Sequence, residues 1–215
     1  LANIFLHHAF DEWMRTNHPS TPFARYADDV IVHCRTEAQA RVMLRVIERR
    51  LARCKLQLHP EKTRIVYCKD AKSPGSYEHE SFDFLGYSFR PRGCKGRNYF
   101  VGFTPAVSKS TIKAMSDKIR GWKLQLWSSS SLEDIARQIN PVIRGWLNYY
   151  GKYYRSAMRP ILRQLQYALV RWAMRKYKRL KGHWRKATYW LGRIARREPR
   201  LLASWEFGFR PSAGQ

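Results

Sequence analysis

Two short apolar stretches, Phe23 to Ala27 and Val30 to Cys34, are separated only by Asp28-Asp29. β-Branched and aromatic residues with so brief a break between them predict a tight hairpin with an acidic tip. Adjacent carboxylates in a turn between buried strands suit magnesium, which takes hard oxygen ligands. Two like charges side by side also repel unless a cation neutralises them. Asp-Asp is equally a common turn filler, because aspartate hydrogen-bonds its own backbone, so the pair alone leaves both readings open. Successive strand side chains point to opposite faces, which favours Asp28 as the principal ligand and Asp29 as the lesser one.

The elements around this hairpin predict an α+β chain. Ile4, Phe5, Ala9 and Trp13 fall at helical spacing over Leu1 to about Thr16, with no helix-starting signal before Leu1. A helix is expected from Glu37 to about Lys55, with Ala40, Met43, Leu44, Ile47 and Leu51 as its apolar stripe and Arg41, Arg45, Arg49 and Arg53 as a basic one. Beyond the proline loop His59-Pro60-Glu61-Lys62-Thr63, strands are expected at Ile65 to Cys68, Phe82 to Phe89 and Tyr99 to Phe103. The last two are joined by the basic turn Arg92-Gly93-Cys94-Lys95-Gly96-Arg97. Gly102-Phe103-Thr104-Pro105 then interrupts the strand pattern, and Ser108 can cap a following helix. The rest reads as helices over Thr111 to Leu126, Leu132 to Tyr150, Arg155 to Leu180 and His183 to Arg197, with Ser128 to Ser131 as a linker and Gly151 and Gly182 as stops. The expected domains are therefore 1–104 and 105–215.

Charge separates these regions as clearly as periodicity does. The chain carries 41 basic and 16 acidic residues, a formal charge of +25. Residues 1–104 hold 17 basic and 11 acidic side chains and residues 105–215 hold 24 and 5. A chain so charged repels itself unless a polyanion is its usual partner, and nucleic acid is the leading candidate. No apolar run approaches the roughly 18 residues of a membrane span, and no secretion signal opens the sequence. Cys34, Cys54, Cys68 and Cys94 are too far apart to begin a zinc site and read as reduced thiols, consistent with a cytoplasmic setting.

Several segments match one family in order. Phe23-Ala24-Arg25-Tyr26-Ala27-Asp28-Asp29-Val30 resembles the catalytic hairpin of group II intron-encoded reverse transcriptases. Leu1-Ala2-Asn3-Ile4-Phe5-Leu6-His7 is similar to the palm helix before it, Leu58-His59-Pro60-Glu61-Lys62-Thr63 to the loop after it, and Phe84-Leu85-Gly86-Tyr87 to the primer-grip hairpin. Asn140-Pro141-Val142-Ile143-Arg144-Gly145-Trp146-Leu147-Asn148-Tyr149-Tyr150 resembles the signature of the maturase, or thumb, domain, and Trp205-Glu206-Phe207-Gly208-Phe209 its tail. One short motif is weak evidence, but several in the correct order over nearly the whole chain are specific.

The resemblance implies a partial reverse-transcriptase palm followed by an all-α thumb. It makes Asp28 and Asp29 ligands of a two-magnesium site and places Tyr26 near the primer end or incoming nucleotide, the alternative for Tyr26 being a core aromatic. Lys62 would lie near the dNTP triphosphate, where a cation stabilises or protonates departing pyrophosphate, or else be a solvated loop lysine. Phe84, Leu85 and Gly86 would shape the primer grip. Partners would be the intron RNA, whose splicing the domain assists, and an RNA/DNA template-primer duplex. Arg144, Lys152, Arg171, Arg175, Lys176, Lys178, Arg179, Lys181, Arg185 and Lys186 are the expected phosphate-contacting cations. Interleaved Trp172, Tyr177, Trp184, Tyr189 and Trp190 would stack on bases or, more commonly at helical spacing, pack in the core. Trp146 and Tyr150 are expected to pack. A third metal-binding aspartate and the fingers, which the family places upstream, are not among these residues, so the chain alone is expected to bind nucleic acid and polymerise poorly. The competing reading is an RNA-binding splicing cofactor whose palm remnant is structural.

Overall fold

A computed structural model describes residues 1–70, 75–95 and 99–214. Gly96 and Arg97 of the expected basic turn lie outside them. The chain forms two compact units, one from residues 1–69 and 75–82, the other from 83–214 with Asp70. The mixture of helices with small antiparallel sheets is the expected α+β class. No helix among the described residues is long and apolar enough to cross a membrane.

The first unit opens with α1 (Ala2–Leu6), a π turn (His7–Asp11) and α2 (Glu12–Asn17). The π turn widens the helix by one residue, so Ala9, Phe10 and Asp11 are all buried in succession. Within that turn the Ala9 carbonyl accepts from Arg50 Nε at 2.9 Å. Strands β1 (Phe23–Tyr26) and β2 (Asp29–Val32) pair antiparallel, followed by α3 (Glu37–Arg53), which Thr36 caps by accepting from the Gln39 amide. Phe10, Met14, Met43, Ile47 and Leu51 form the core, with Phe23 and Val32 packed on it. The apolar stripe of α3 therefore lies where its spacing puts it. The strand expected at Ile65 to Cys68 does not form; that segment is irregular, and its Tyr67 amide donates to the His79 carbonyl at 2.8 Å.

Apart from Phe82, the second unit carries β3 (Phe82–Phe84), β4 (Tyr87–Lys95) and β5 (Tyr99–Val107), which make one sheet in that order. The run expected as one strand from Phe82 to Phe89 is thus split by a turn at Leu85-Gly86. The interruption expected at Gly102–Pro105 does not occur, because β5 continues to Val107 with Pro105 opposite Phe89. Proline is tolerated there since β5 is an edge strand, and Pro91 of β4 lies beyond the reach of the short β3. Helices α4 (Lys109–Gly121), α5 (Leu132–Tyr150), α6 (Arg159–Lys176), α7 (Trp184–Arg197) and α8 (Ala203–Glu206) follow. Ser108 caps α4 as expected, and Ser131 with Asp134 makes a capping box on α5. Two expected helices are shorter than their apolar patterns. Lys123 turns left-handed (φ 49°) and ends α4 before a 3-10 turn at Leu124–Leu126, and Pro160 starts α6 in its first turn, leaving Arg155–Met158 as 3-10.

The core of this unit runs through Ile135, Ile139 and Ile143 of α5, Leu165, Leu169 and Trp172 of α6, Leu191 of α7 and Trp205 of α8. Trp146 and Tyr150 pack against it, as expected. Asn140 anchors the chain end: its buried amide donates to the Leu201 carbonyl and accepts from the Ala203 amide, both at 2.9 Å. Asn140→Ala leaves both groups unpaired, and urea denaturation is expected to show a loss of about 2 kcal/mol.

Candidate functional site

The acidic tip is built differently from its simplest reading. Tyr26 pairs with Asp29, so the two-residue loop is Ala27-Asp28, and Asp29 is the first residue of β2. Side-chain alternation along a strand therefore does not rank Asp28 against Asp29, since Asp28 projects from the turn itself. Cross-strand partners share a face, which puts Tyr26 beside Asp29. Tyr26 is 64% exposed and so is no core aromatic, and both aspartates are exposed.

Ala27 holds φ at 53°, a left-handed conformation costing on the order of 1–2 kcal/mol for an L-residue. The neighbouring strand residue braces it. Arg25 donates to the Ala27 carbonyl at 2.8 Å while gripping the Asp11 carboxylate through Nε at 2.7 Å and Nη2 at 2.6 Å, and reaches Asn3 at 3.3 Å. Both partners of the ion pair are only 11% exposed. Hydrogen bonding from Arg25 holds the Asp11 carboxyl below the ordinary aspartate range, against the opposing effect of burial, and Asp11 raises Arg25 in return. Asp28 and Asp29 have no ion-pair or side-chain hydrogen-bond partner among the described residues, so their oxygens are free to take a cation. Hard, exposed, adjacent carboxylates fit magnesium as donors. No group of three or more His, Cys, Asp or Glu that could hold a metal occurs among the described residues. Lys62 is exposed in a turn closed by the Thr63 amide on the His59 carbonyl, and no bond joins it to the acidic tip.

In the second unit, the Phe84-Leu85-Gly86 segment is a rigid corner. Leu85 and Gly86 both have positive φ, 51° and 77°. A Cβ on Gly86 would lie 2.6 Å from the Tyr150 hydroxyl and 3.0 Å from Thr111 Oγ1. The Gly86 carbonyl accepts from the Ser108 amide at 2.9 Å and from Thr111 Oγ1 at 3.1 Å. Tyr149 of α5 donates to the Leu85 carbonyl at 3.2 Å, and Tyr87 donates to the Tyr149 carbonyl. Burial first, then Tyr149, Tyr153 and Tyr150, push the Tyr87 phenol up to about 12.

The expected cations divide by use. Arg171, Arg175, Lys178, Arg179, Lys181, Arg185 and Lys186 are exposed along α6, the turn after it and the start of α7. Arg179 and Lys186 meet in a cavity of about 450 Å³ that Leu180, Tyr189, Trp190 and Arg193 also line. Lys176 is employed internally, donating to the Ser128 and Ser130 carbonyls at 3.1 and 2.8 Å and so pinning the serine linker. Arg144 is exposed and reaches Glu206 at 3.3 Å, and exposed Lys152 lies over the Tyr153 ring. Of the interleaved aromatics, Trp172 is fully buried and clustered with Tyr177 and Trp190, whereas Trp184 is exposed.

Residues 1–89 match the family model described as reverse transcriptase (RNA-dependent DNA polymerase). Residues 112–190 match the group II intron, maturase-specific domain. The chain belongs to the group II intron reverse transcriptase/maturase family. No curated protein matches it.

Within this reverse transcriptase/maturase, Asp11 and Arg25 are the site residues that motif reading passed over. Their signal was present: an aspartate between Phe10 and Met14 on an apolar helix face, and an arginine sharing the inward face of its strand with Phe23. Ser108 and Tyr149 were legible as a helix cap and as part of the maturase signature, but their hold on the Leu85-Gly86 corner becomes visible only through their contacts.

Asp11→Asn is expected to destabilise the first unit by about 3 kcal/mol at neutral pH, because it leaves Arg25 without its counter-charge. The folded-state value of Asp11 lies below the ordinary 3.8, so the clamp's contribution is complete above that pH and is lost as pH falls through the folded value. Hydrogen exchange followed through acid titration should show that dependence in the parent chain and lose it in the variant. Gly86→Ala combines positive φ with a clash against Tyr150, and calorimetry should show a loss of roughly 2 kcal/mol or more in the second unit.

Proposed function

We propose that the chain supplies part of an RNA-directed DNA polymerase that binds its group II intron RNA and assists splicing. The observation that carries the reading is the hairpin tip, where Asp28 and Asp29 stand exposed and unpaired on a turn that Arg25 ties to the buried Asp11. Magnesium, when bound, lowers the barrier for attack of the primer hydroxyl on the nucleotide and stabilises the leaving pyrophosphate. Asp28 and Asp29 would hold the cation, and the fixed turn would spare the polymerase the reorganisation that a loose carboxylate pair requires. Tyr26, exposed on the same face as Asp29, contacts the primer end or the incoming dNTP. Lys62, exposed in its turn, offers a positive charge to the triphosphate. The Phe84-Leu85-Gly86 corner shapes the primer grip.

The maturase helices meet nucleic acid through phosphate. Arg171, Arg175, Lys178, Arg179, Lys181, Arg185 and Lys186 provide affinity with little sequence information. Arg144 and Lys152, exposed on α5 and just after it, add further phosphate contacts. The excess of basic over acidic residues in 105–215 makes binding steeply salt-dependent.

Asp28→Asn in the polymerase that contains this chain is expected to lower primer extension by at least about a hundredfold while leaving RNA affinity within about twofold, since it removes a metal ligand and no phosphate contact. Undiminished synthesis would overturn the catalytic assignment. Equal loss of RNA affinity would mean that the hairpin tip is a binding surface.

A further inference from the structure

Of the eight tryptophans, Trp184 alone is exposed. It stands at the first residue of α7, 41% accessible, with its ring edge-on to Tyr167 of α6, which is 43% accessible; the ring centroids are 5.3 Å apart and inclined at 72°. Two large aromatics left in solvent contrast with Trp172, Tyr177 and Trp190, which the same two helices and the turn between them pack together. Each ring of the outer pair limits the motion of the other, so the pair is held as a surface. Arg163 and Arg171 lie four residues before and after Tyr167 on the same face of α6. Both are exposed, and neither has an ion-pair or hydrogen-bond partner among the described residues.

We propose that Tyr167 and Trp184 form a stacking platform for one unpaired nucleobase, with Arg163 and Arg171 on the phosphates that flank it. The proposal rests on the nucleic-acid-binding reading above and goes further, because phosphate contacts alone do not distinguish paired from unpaired strands. Every base has a π face, so the platform takes an unpaired nucleotide without regard to its identity. An RNA loop and a DNA single-stranded end share that chemistry.

The test uses a hairpin RNA carrying one unpaired 2-aminopurine, the same hairpin fully paired, and a DNA copy of the first, each titrated with the 215-residue chain. Stacking quenches 2-aminopurine fluorescence, and quenching is expected with the parent chain. Trp184→Ala and Tyr167→Ala are each expected to abolish it and to weaken binding of the unpaired probe by about tenfold, with at most a twofold change for the paired one. Trp184→Phe should retain the quenching, which separates loss of a stacking face from a local folding defect. Preference between the RNA and DNA forms of the unpaired probe identifies the strand that supplies the base, and either preference supports the platform. Quenching that survives in both alanine variants, or equal weakening for paired and unpaired probes, overturns it. Failure of the parent chain to bind any probe would instead overturn the nucleic-acid-binding reading on which it rests.

Discussion

One guanidinium carries the constraint on which the candidate catalytic end depends. Arg25 faces inward from β1, closes two bonds on the buried carboxylate of Asp11 and spends a third donor on the Ala27 carbonyl. Without that donor, Ala27 would be held at positive φ by the hairpin ladder alone, next to two like charges. The π turn in the opening helix serves the same arrangement, because the extra residue turns Asp11 into the interior beside Phe10. Lysine could neutralise Asp11 but lacks the planar fork that reaches carboxylate and carbonyl together.

The second unit relies on a comparable economy of backbone contacts. Gly86 leaves room for the Tyr150 hydroxyl, its carbonyl takes two donors from the start of α4, and Tyr149 holds the carbonyl beside it. The corner that the family resemblance assigns to the primer is thus braced by α4 and α5 of the maturase helices. At the far end of α5, Asn140 secures the segment leading into α8. The part of the chain that resembles the maturase signature is, in large measure, a set of residues that hold other backbone in place, while the cations that remain free project from α6 and α7.

Where the chain's pattern was strong, the fold was legible from it. The α3 stripe, the Ser108 cap and the span of α5 followed from periodicity and capping chemistry, and the hairpin followed from two β-rich runs with almost nothing between them. Two misread stretches involve local signals that tertiary context outweighed. Pro105 suggested an end to β5, yet an edge strand needs no amide on its open side. The Ile65 to Cys68 run had strand composition, but it joins neither sheet, and the Tyr67 amide bonds the His79 carbonyl from an irregular segment. Tyr26 and the aspartates stood out in the sequence as candidates because the chemistry that singles them out is local. Arg25 and Asp11, fourteen residues apart, were not, since nothing in a linear pattern says which buried charge answers which. The same limit applied to the aromatics: helical spacing cannot tell Trp172, with no measurable exposure, from Trp184, which stands in solvent.

The central claim is that the hairpin tip presents Asp28 and Asp29 as ligands for a divalent cation. Its most direct test is a titration of the isotopically labelled chain with manganese, read as paramagnetic broadening of backbone amide resonances. Broadening should centre on Ala27 to Val30, yield to competing magnesium, and disappear when both aspartates are replaced by asparagine. Amides of the tip that stay sharp while others broaden, or broadening that persists in the double variant, would contradict the account.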